Sequence, residues 1–400
     1  MSANDPTFDP DSIAPSSTDL QRSPTVGGDG AAPPEWHPEL GLPERDIAQK
    51  PRWPHPNLGW SFLWCLLFLF VTQLPGGILA VVVAVGVVLL QPEKYPLSTL
   101  SNQIALLQSE PMRIGLAVGV FVIELSIVGF SLLVIRLVVG RDWMRQLAVR
   151  RPSLAHTLLT LASFPVLALM GNVVYNLLRT VWHVPSLSDY GVGGMEEMVD
   201  VASKWPAALA VLLIGLGPGI GEELWCRGFL GRGLVGNYGV VFGVLATSFF
   251  FGLIHGDPCQ GTMAMVMGLW LHFVYLSTRS LLLPMLLHFL NNSFAVLASR
   301  LPSLQFLDAK PQDIPLSIYL TSLLLLLGVA YALYQSRARL EAKMPEQLLV
   351  WRPSYQGVEY PPDGSGTRVV HPAPSLTAAA LAGGGFLLFV LACAAWLAQG

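Results

Sequence analysis

Six side chains fit for acid–base chemistry interrupt otherwise apolar sequence. Glu222, Glu223 and Arg227 lie within GEELWCRG (221–228), His255 near the end of FFFGLIHG (249–256), and His288 and Asn292 within LLHFLNN (286–292). Charged and imidazole groups are costly at membrane depth, so they face a protein interior and carry function. A carboxylate beside an imidazole can take a proton from water and pass it on. An imidazole and an amide can hydrogen-bond a developing oxyanion. Together they look like the parts of an active site built between membrane helices.

Spacing within each group suits such a site. Glu223 and Arg227 are four residues apart and can pair along one helix face. Glu222 is rotated from Glu223 by about 100° on a helix, so the two carboxylates need not share a role. His288 and Asn292 repeat the four-residue spacing and present an imidazole and an amide together. Phe251 and His255 share a face, which puts an aromatic wall beside the imidazole.

The elements that must position them are membrane helices. Of 400 residues, 52% are hydrophobic and only 12% charged, against about 25% charged in a soluble domain. The fold class is therefore all-α, a polytopic transmembrane bundle. Crossing a bilayer takes about 20 apolar residues, which predicts spans at 60–90, 114–139, 156–180, 206–234, 239–256, 259–278, 281–299, 316–335 and 377–398. The second half of the fourth (223–234) is polar enough to leave the membrane or line a cavity, and Pro75 and Pro165 are expected to kink their helices. Residues 1–57 hold nine acidic against four basic residues and little periodic apolar sequence, so they read as a disordered tail. Residues 58–204 form an N-terminal helical region, 205–300 the core carrying all six side chains, and 301–400 C-terminal spans joined by a polar linker (about 340–375). No basic stripe with interleaved aromatics is present, which argues against a nucleic-acid partner.

Arg141, Arg145, Arg150 and Arg151 follow the second span, Arg337, Arg339 and Lys343 the eighth, and acidic residues the third. The positive-inside rule then gives a cytosolic N-terminus, and a bacterial inner membrane is the expected location. Counting from the turn near Asn237 at 1.5 Å per residue, Glu222 stands roughly 20 Å and His255 about 24 Å from that face. His288 and Asn292 stand roughly 11 and 17 Å above the start of their helix by the same rise. Helix tilt and a shifted boundary bring all four into one slab.

In this order on membrane helices, Glu222-Glu223…Arg227, Phe251…His255 and His288…Asn292 resemble the three motifs of the CAAX-protease and bacteriocin-processing family of intramembrane proteases, the type II CAAX prenyl endopeptidase-like group. Ser248, Gly268 and the run TRSLLLPMLLHFLNN also resemble the family pattern, over about residues 205–300. His272, where a small residue is common, and Arg279, where Gly is common, depart from it. The resemblance implies an intramembrane endopeptidase acting on a membrane-anchored protein or peptide in the lipid bilayer, prenylated in eukaryotic relatives. Glu222 is then the expected general base, with His255 sharing the water and later protonating the amine. His288 and Asn292 are expected to donate to the oxyanion, and Arg227 to balance both glutamates and hold Glu223. Either no cofactor is needed or a divalent metal such as zinc joins Glu222, His255 and His288. The metal-free glutamate version is preferred, since HExxH is absent.

Other readings compete. The Glu/His cluster could serve a transporter or channel as a proton or ion relay, though no duplicated half is evident. A non-catalytic scaffold or immunity protein would also keep the fold. The four cysteines (Cys65, Cys226, Cys259, Cys393) show no paired spacing and read as buried apolar residues. Glu196-Glu197 sits in a polar loop without a basic or histidine partner and reads as solvated surface. His272 reads as packing. Glu124, in the middle of the second span, is left without a role.

Overall fold

Capping residues set where the apolar helices begin. The computed structural model describes residues 56–101, 106, 109–186, 189, 195–301, 310–342 and 358–398, with the backbone of 36–37 and 42–43. The remainder of the 1–57 tail, and the expectation of disorder there, lies outside the described residues. A first unit, Met1–Asp46, contains the antiparallel pair β1 (Trp36–His37) and β2 (Leu42–Pro43). In the second unit, Ile47–Gly400, the Asn57 side chain accepts from the Trp60 amide and opens α1 (Leu58–Leu90). Ser109 accepts from Met112 to open α2 (Glu110–Val138), and Ser153 from His156 to open α3 (Leu154–Thr180). Each such cap is worth about 1 kcal/mol.

Beyond these lie α4 (Met195–Ser203), α5 (Ala207–Tyr238), α6 (Val240–Leu253), α7 (Pro258–Thr278), α8 (Leu282–Ala298), α9 (Leu316–Gln335) and α10 (Leu376–Leu397). Seven helices among the described residues are long and apolar enough to cross a membrane, and α6 and α8 are shorter apolar helices. The protein is an integral membrane protein with the polytopic helical architecture expected.

The second half of the fourth span is enclosed by protein: Leu224–Leu230 are all buried and α5 continues to Tyr238. Three sequence expectations need correction. The fifth stops at Leu253, leaving His255 in the turn that follows. Glu196 and Glu197 lie on α4 rather than in a loop. The polar linker contains a hairpin, β3 (Arg339–Ala342) paired antiparallel with β4 (Thr367–Val370).

Small residues let the helix backbones meet, the usual device where lipid is as apolar as the side chains. A Cβ on Gly119 would lie 2.6 Å from the Gly76 carbonyl, so α1 and α2 pack backbone to backbone. α6 and α7 do the same at Gly252 and Gly261, where a Cβ on Gly261 would lie 2.6 Å from the Gly252 carbonyl. That closeness draws the His255 turn tight; Asp257 caps α7 through the Gln260 amide at 2.8 Å, and Pro258 occupies its first turn. α8 crosses α5 at Gly219, where a Cβ would lie 3.0 Å from the Phe289 nitrogen.

α5 departs from regular α geometry twice, with π-helical turns at Val211–Leu216 and Leu224–Leu230. Such turns leave their i→i+5 bonds at functional sites with high frequency. Between them, Gly217–Glu223 is α-helical and carries both glutamates. The second π turn is wrapped by aromatic rings: Trp225 stacks on Phe68 of α1 at 4.6 Å, and Phe229 meets Trp64 at 5.2 Å.

At the arginine-rich end, one strap ties distant loops together. Arg145 pairs with Glu359 at 3.0 Å and donates to the Tyr360 carbonyl at 2.8 Å, while the Tyr360 amide donates to the Arg145 carbonyl. Arg279 donates to the Glu359 carbonyl at 3.1 Å, and the Arg150 guanidinium lies 4.5 Å over the Tyr360 ring. Arg279 caps α7 in the left-handed region, φ 48° and ψ 44°, where glycine is favoured. The strap bond supplies a reason for an arginine at that position.

Candidate active site

α5 presents Glu222 and Glu223 on different faces, as the 100° rotation requires. Arg227 Nη1 donates to Glu223 Oε1 at 2.7 Å, with both side chains fully buried. Its Nη2 donates to the Gly268 carbonyl of α7 at 3.0 Å, and its guanidinium lies 4.5 Å over the Phe251 ring. A Cβ at Gly268 would crowd Phe251, Ser248 and Arg227 at 3.1–3.3 Å, so glycine there makes room for the cation. The ion pair expected from the four-residue spacing is therefore formed. The carboxylate that Arg227 binds directly is that of Glu223.

Glu223 Oε1 also faces His288 Nδ1 at 2.9 Å. A carboxylate beside Nδ1 selects the tautomer that donates from it, leaving a lone pair on Nε2. Asn292 Nδ2 lies 3.2 Å from that Nε2 and donates to it. The pairing of imidazole and amide on α8 follows the sequence, with one change of consequence. The Nδ1–H of His288 is committed to Glu223, so it is not free to donate to an oxyanion as expected, and Asn292 keeps a second N–H.

His255 is fixed by its own motif. Nδ1 lies 2.8 Å from the Phe251 carbonyl, which can only accept, so Nε2 again carries the lone pair. The Phe251 ring stands edge-on to both imidazoles, at 5.1 Å from His255 and 5.7 Å from His288. Glu222 Oε2 faces both rings, 4.0 Å from His255 Nε2 and 3.9 Å from His288 Nε2. These separations are too long for direct hydrogen bonds; with His288 Nε2 accepting from Asn292, a water there has Glu222 Oε2 and His255 Nε2 as its two acceptors. Glu222 and His255 are slightly open, at 14% and 15% exposure, whereas His288 is at 2%.

A zinc ion bound tetrahedrally at about 2.0–2.1 Å would set its donors about 3.4 Å apart. Glu222 Oε2 stands wider than that from both Nε2 atoms, at 4.0 and 3.9 Å, and the Asn292 amide already occupies His288 Nε2. Among the described residues, no group of three His, Cys, Asp or Glu side chains is placed to hold a metal ion. The set Glu222, His255 and His288 does not fit a metal in this arrangement. Cys226 is fully buried in the aromatic cluster, and His272 of α7 is buried against Gly231 of α5. An apolar cleft of about 420 Å³ lined by Leu132, Trp143, Leu216, Ile220, Leu286 and Phe289 contains none of the six residues.

Sequence reasoning missed the carbonyls of Phe251 and Gly268, which orient His255 and Arg227. Main-chain acceptors carry no side-chain signature, and only the glycine at 268 hinted at a close approach.

A polytopic helical bundle with a buried Glu–Arg–His network beside a partly open Glu–His pair defines a membrane protein equipped for acid–base chemistry. Residues 204–294, which include all six side chains, match the family model described as type II CAAX prenyl endopeptidase Rce1-like. No curated protein and no solved structure matches the chain. The family match agrees with the resemblance read from the motifs and indicates a protease of the CAAX type.

Proposed function

We propose that the protein is an intramembrane endopeptidase in which Glu222 is the general base, working within a catalytic unit of about residues 205–300. The observation that carries this reading is the placement of Glu222 Oε2 at 4.0 and 3.9 Å from two imidazole Nε2 atoms whose opposite nitrogens are tied down. A water held there donates to the Glu222 carboxylate and to His255 Nε2. Glu222 takes its proton as the oxygen attacks the peptide carbonyl. His255, the more open imidazole, takes that proton from Glu222 on Nε2 and delivers it to the leaving amine. The Asn292 amide, held by His288, donates to the oxyanion. Glu223 and Arg227 neutralise each other and fix the His288 ring through Nδ1.

The substrate of this reading is a membrane-anchored protein or peptide, reached from within the bilayer. Arg145, Arg150 and Arg279 gather at one end of the bundle, which supports a cytosolic N-terminus by the positive-inside rule. A bacterial inner membrane suits that orientation.

The test is cleavage of a membrane-anchored reporter peptide by the purified protein in liposomes. Removing a general acid or base costs about 10²–10⁴-fold, so Glu222→Gln and His255→Ala are each expected to lower kcat by at least a hundredfold. Equal cleavage by wild type and both variants would refute the assignment. Loss of cleavage with a chelator and recovery with zinc would overturn the metal-free chemistry.

A further inference from the structure

His255 stands in the turn between α6 and α7, and the carboxylate that ends this turn has two tasks. Asp257 Oδ1 caps α7 at the Gln260 amide, 2.8 Å away, and an N-cap asks for no more than one such oxygen. Its Oδ2 accepts from Ser186 Oγ at 2.6 Å, with both residues buried. Ser186 belongs to the segment that follows α3, 71 residues earlier in the chain. That segment is itself fastened to α3. Arg179 holds Asp189 through both terminal guanidinium nitrogens and donates to the Val184 carbonyl at 3.3 Å. The Val184 amide donates to the Leu178 carbonyl at 2.8 Å, and the Ser186 amide to Asp189 Oδ2 at 2.9 Å. A line of bonds thus runs from Arg179 through Asp189 and Ser186 to Asp257, two residues from His255.

The His255 ring is held from the α6 side, where Nδ1 bonds the Phe251 carbonyl, and 15% of the side chain stays exposed. Gly256, next in the chain, has φ +71°, a conformation glycine enters and leaves at little cost. The backbone on the α7 side of the imidazole therefore needs a fastening from outside the turn. The catalytic demand on it is tight. His255 Nε2 must keep its 4.0 Å separation from Glu222 Oε2 to share the water and take up its proton, and a misplacement of about 1 Å can cost about a hundredfold in rate. A hydrogen bond to a carboxylate is about twice as strong as a neutral one, and this one is buried. We infer that Ser186 and Asp257 are positioning residues of the active site: their bond ties the His255 turn to α3 and keeps Nε2 in register with Glu222. Neither touches substrate or the attacking water. The inference rests on the reading of His255 as the proton carrier.

The test measures kcat and KM in liposomes, below the melting temperature of every variant, on a farnesylated CAAX-type reporter peptide and an acyl-anchored one. Ser186→Ala removes the bond and leaves the α7 cap. Asp257→Ser keeps a capping hydroxyl but is too short to reach Ser186. Each is expected to lower kcat about ten- to a hundredfold while KM stays within about twofold. The double variant should lose no more than the worse single one, because both changes remove the same bond. Asp257→Asn caps through Oδ1 and can donate from Nδ2 to Ser186 Oγ, so it should stay within about threefold of wild type. A capping or space-filling role alone would move the melting temperature and leave kcat in place. Unchanged kcat in Ser186→Ala, losses that multiply in the double variant, or Asp257→Asn as impaired as Asp257→Ser would overturn the proposal and leave the assigned function standing. Equal cleavage by wild type, Glu222→Gln and His255→Ala, or cleavage of neither reporter by wild type, would overturn the assigned function and this proposal with it.

Discussion

Replacing Arg227 by Met tests how the site holds its charge. Arg227 and Glu223 are fully buried and 2.7 Å apart. Removing one partner of such a pair leaves an uncompensated charge and costs about 3–5 kcal/mol. The hydrogen bond to the Gly268 carbonyl is lost as well. Against this, His288 Nδ1 lies 2.9 Å from Glu223, and a protonated His288 would supply the missing positive charge. The expected loss is therefore at the lower end, about 3 kcal/mol, or roughly a hundredfold in the folding equilibrium. Arg227→Met/Glu223→Gln strands no charge and keeps an acceptor for His288, so its loss should be about 1 kcal/mol, about 2 kcal/mol less than that of Arg227→Met alone. The assay is reversible unfolding in mixed micelles of rising denaturing-detergent fraction, followed by helical circular dichroism. A double variant as unstable as the single one, or a single variant within about 0.5 kcal/mol of wild type, would refute the reasoning.

Two further outcomes follow from groups outside the site. Arg179 makes a bidentate contact with Asp189 at 2.6 and 2.7 Å, and this hydrogen bonding, with the Ser186 amide, pulls the Asp189 carboxyl down to about 2. A carboxyl lowered on folding contributes stability above its unfolded value and loses it as pH falls toward the folded one. The difference in melting temperature between wild type and Asp189→Asn should accordingly be present near neutral pH and vanish as pH falls from about 5 toward 2; a difference independent of pH would contradict this. At position 279, glycine removes the left-handed strain, worth about 1–2 kcal/mol, but loses the strap bond, worth about 1 kcal/mol. Arg279→Gly should thus lie within about 1 kcal/mol of wild type, whereas Arg279→Val, which keeps the strain and loses the bond, should be clearly less stable by the same unfolding assay.

The helical architecture was legible because a membrane span is declared by length and apolarity alone. The site was legible because polar residues in such runs are conspicuous, and because four-residue spacing within one helix foretells Glu223–Arg227 and His288–Asn292. Contacts between helices were harder. That Glu223 takes the His288 N–H depends on how α8 crosses α5 at Gly219. The π turns at Val211–Leu216 and Leu224–Leu230 are shifts of hydrogen-bond register with no side-chain signature. The end of α6 before His255 was marked by Gly256, Asp257 and Pro258, a turn, a cap and a first-turn proline that length-based span assignment overran.

The strap at the arginine-rich end has a bearing on how the molecule comes into being. Arg145 and Glu359 are 214 residues apart in sequence. During synthesis, the Arg145 loop emerges long before the segment that binds it, and seven of the membrane-embedded helices α3 and α5–α10 follow that loop. Until residues 358–360 arrive, Arg145, Arg150 and Arg279 lack these partners. Chain completion is thereby coupled to closure of that end, and a nascent chain stopped before Val358 carries the entire catalytic constellation on an unfastened scaffold.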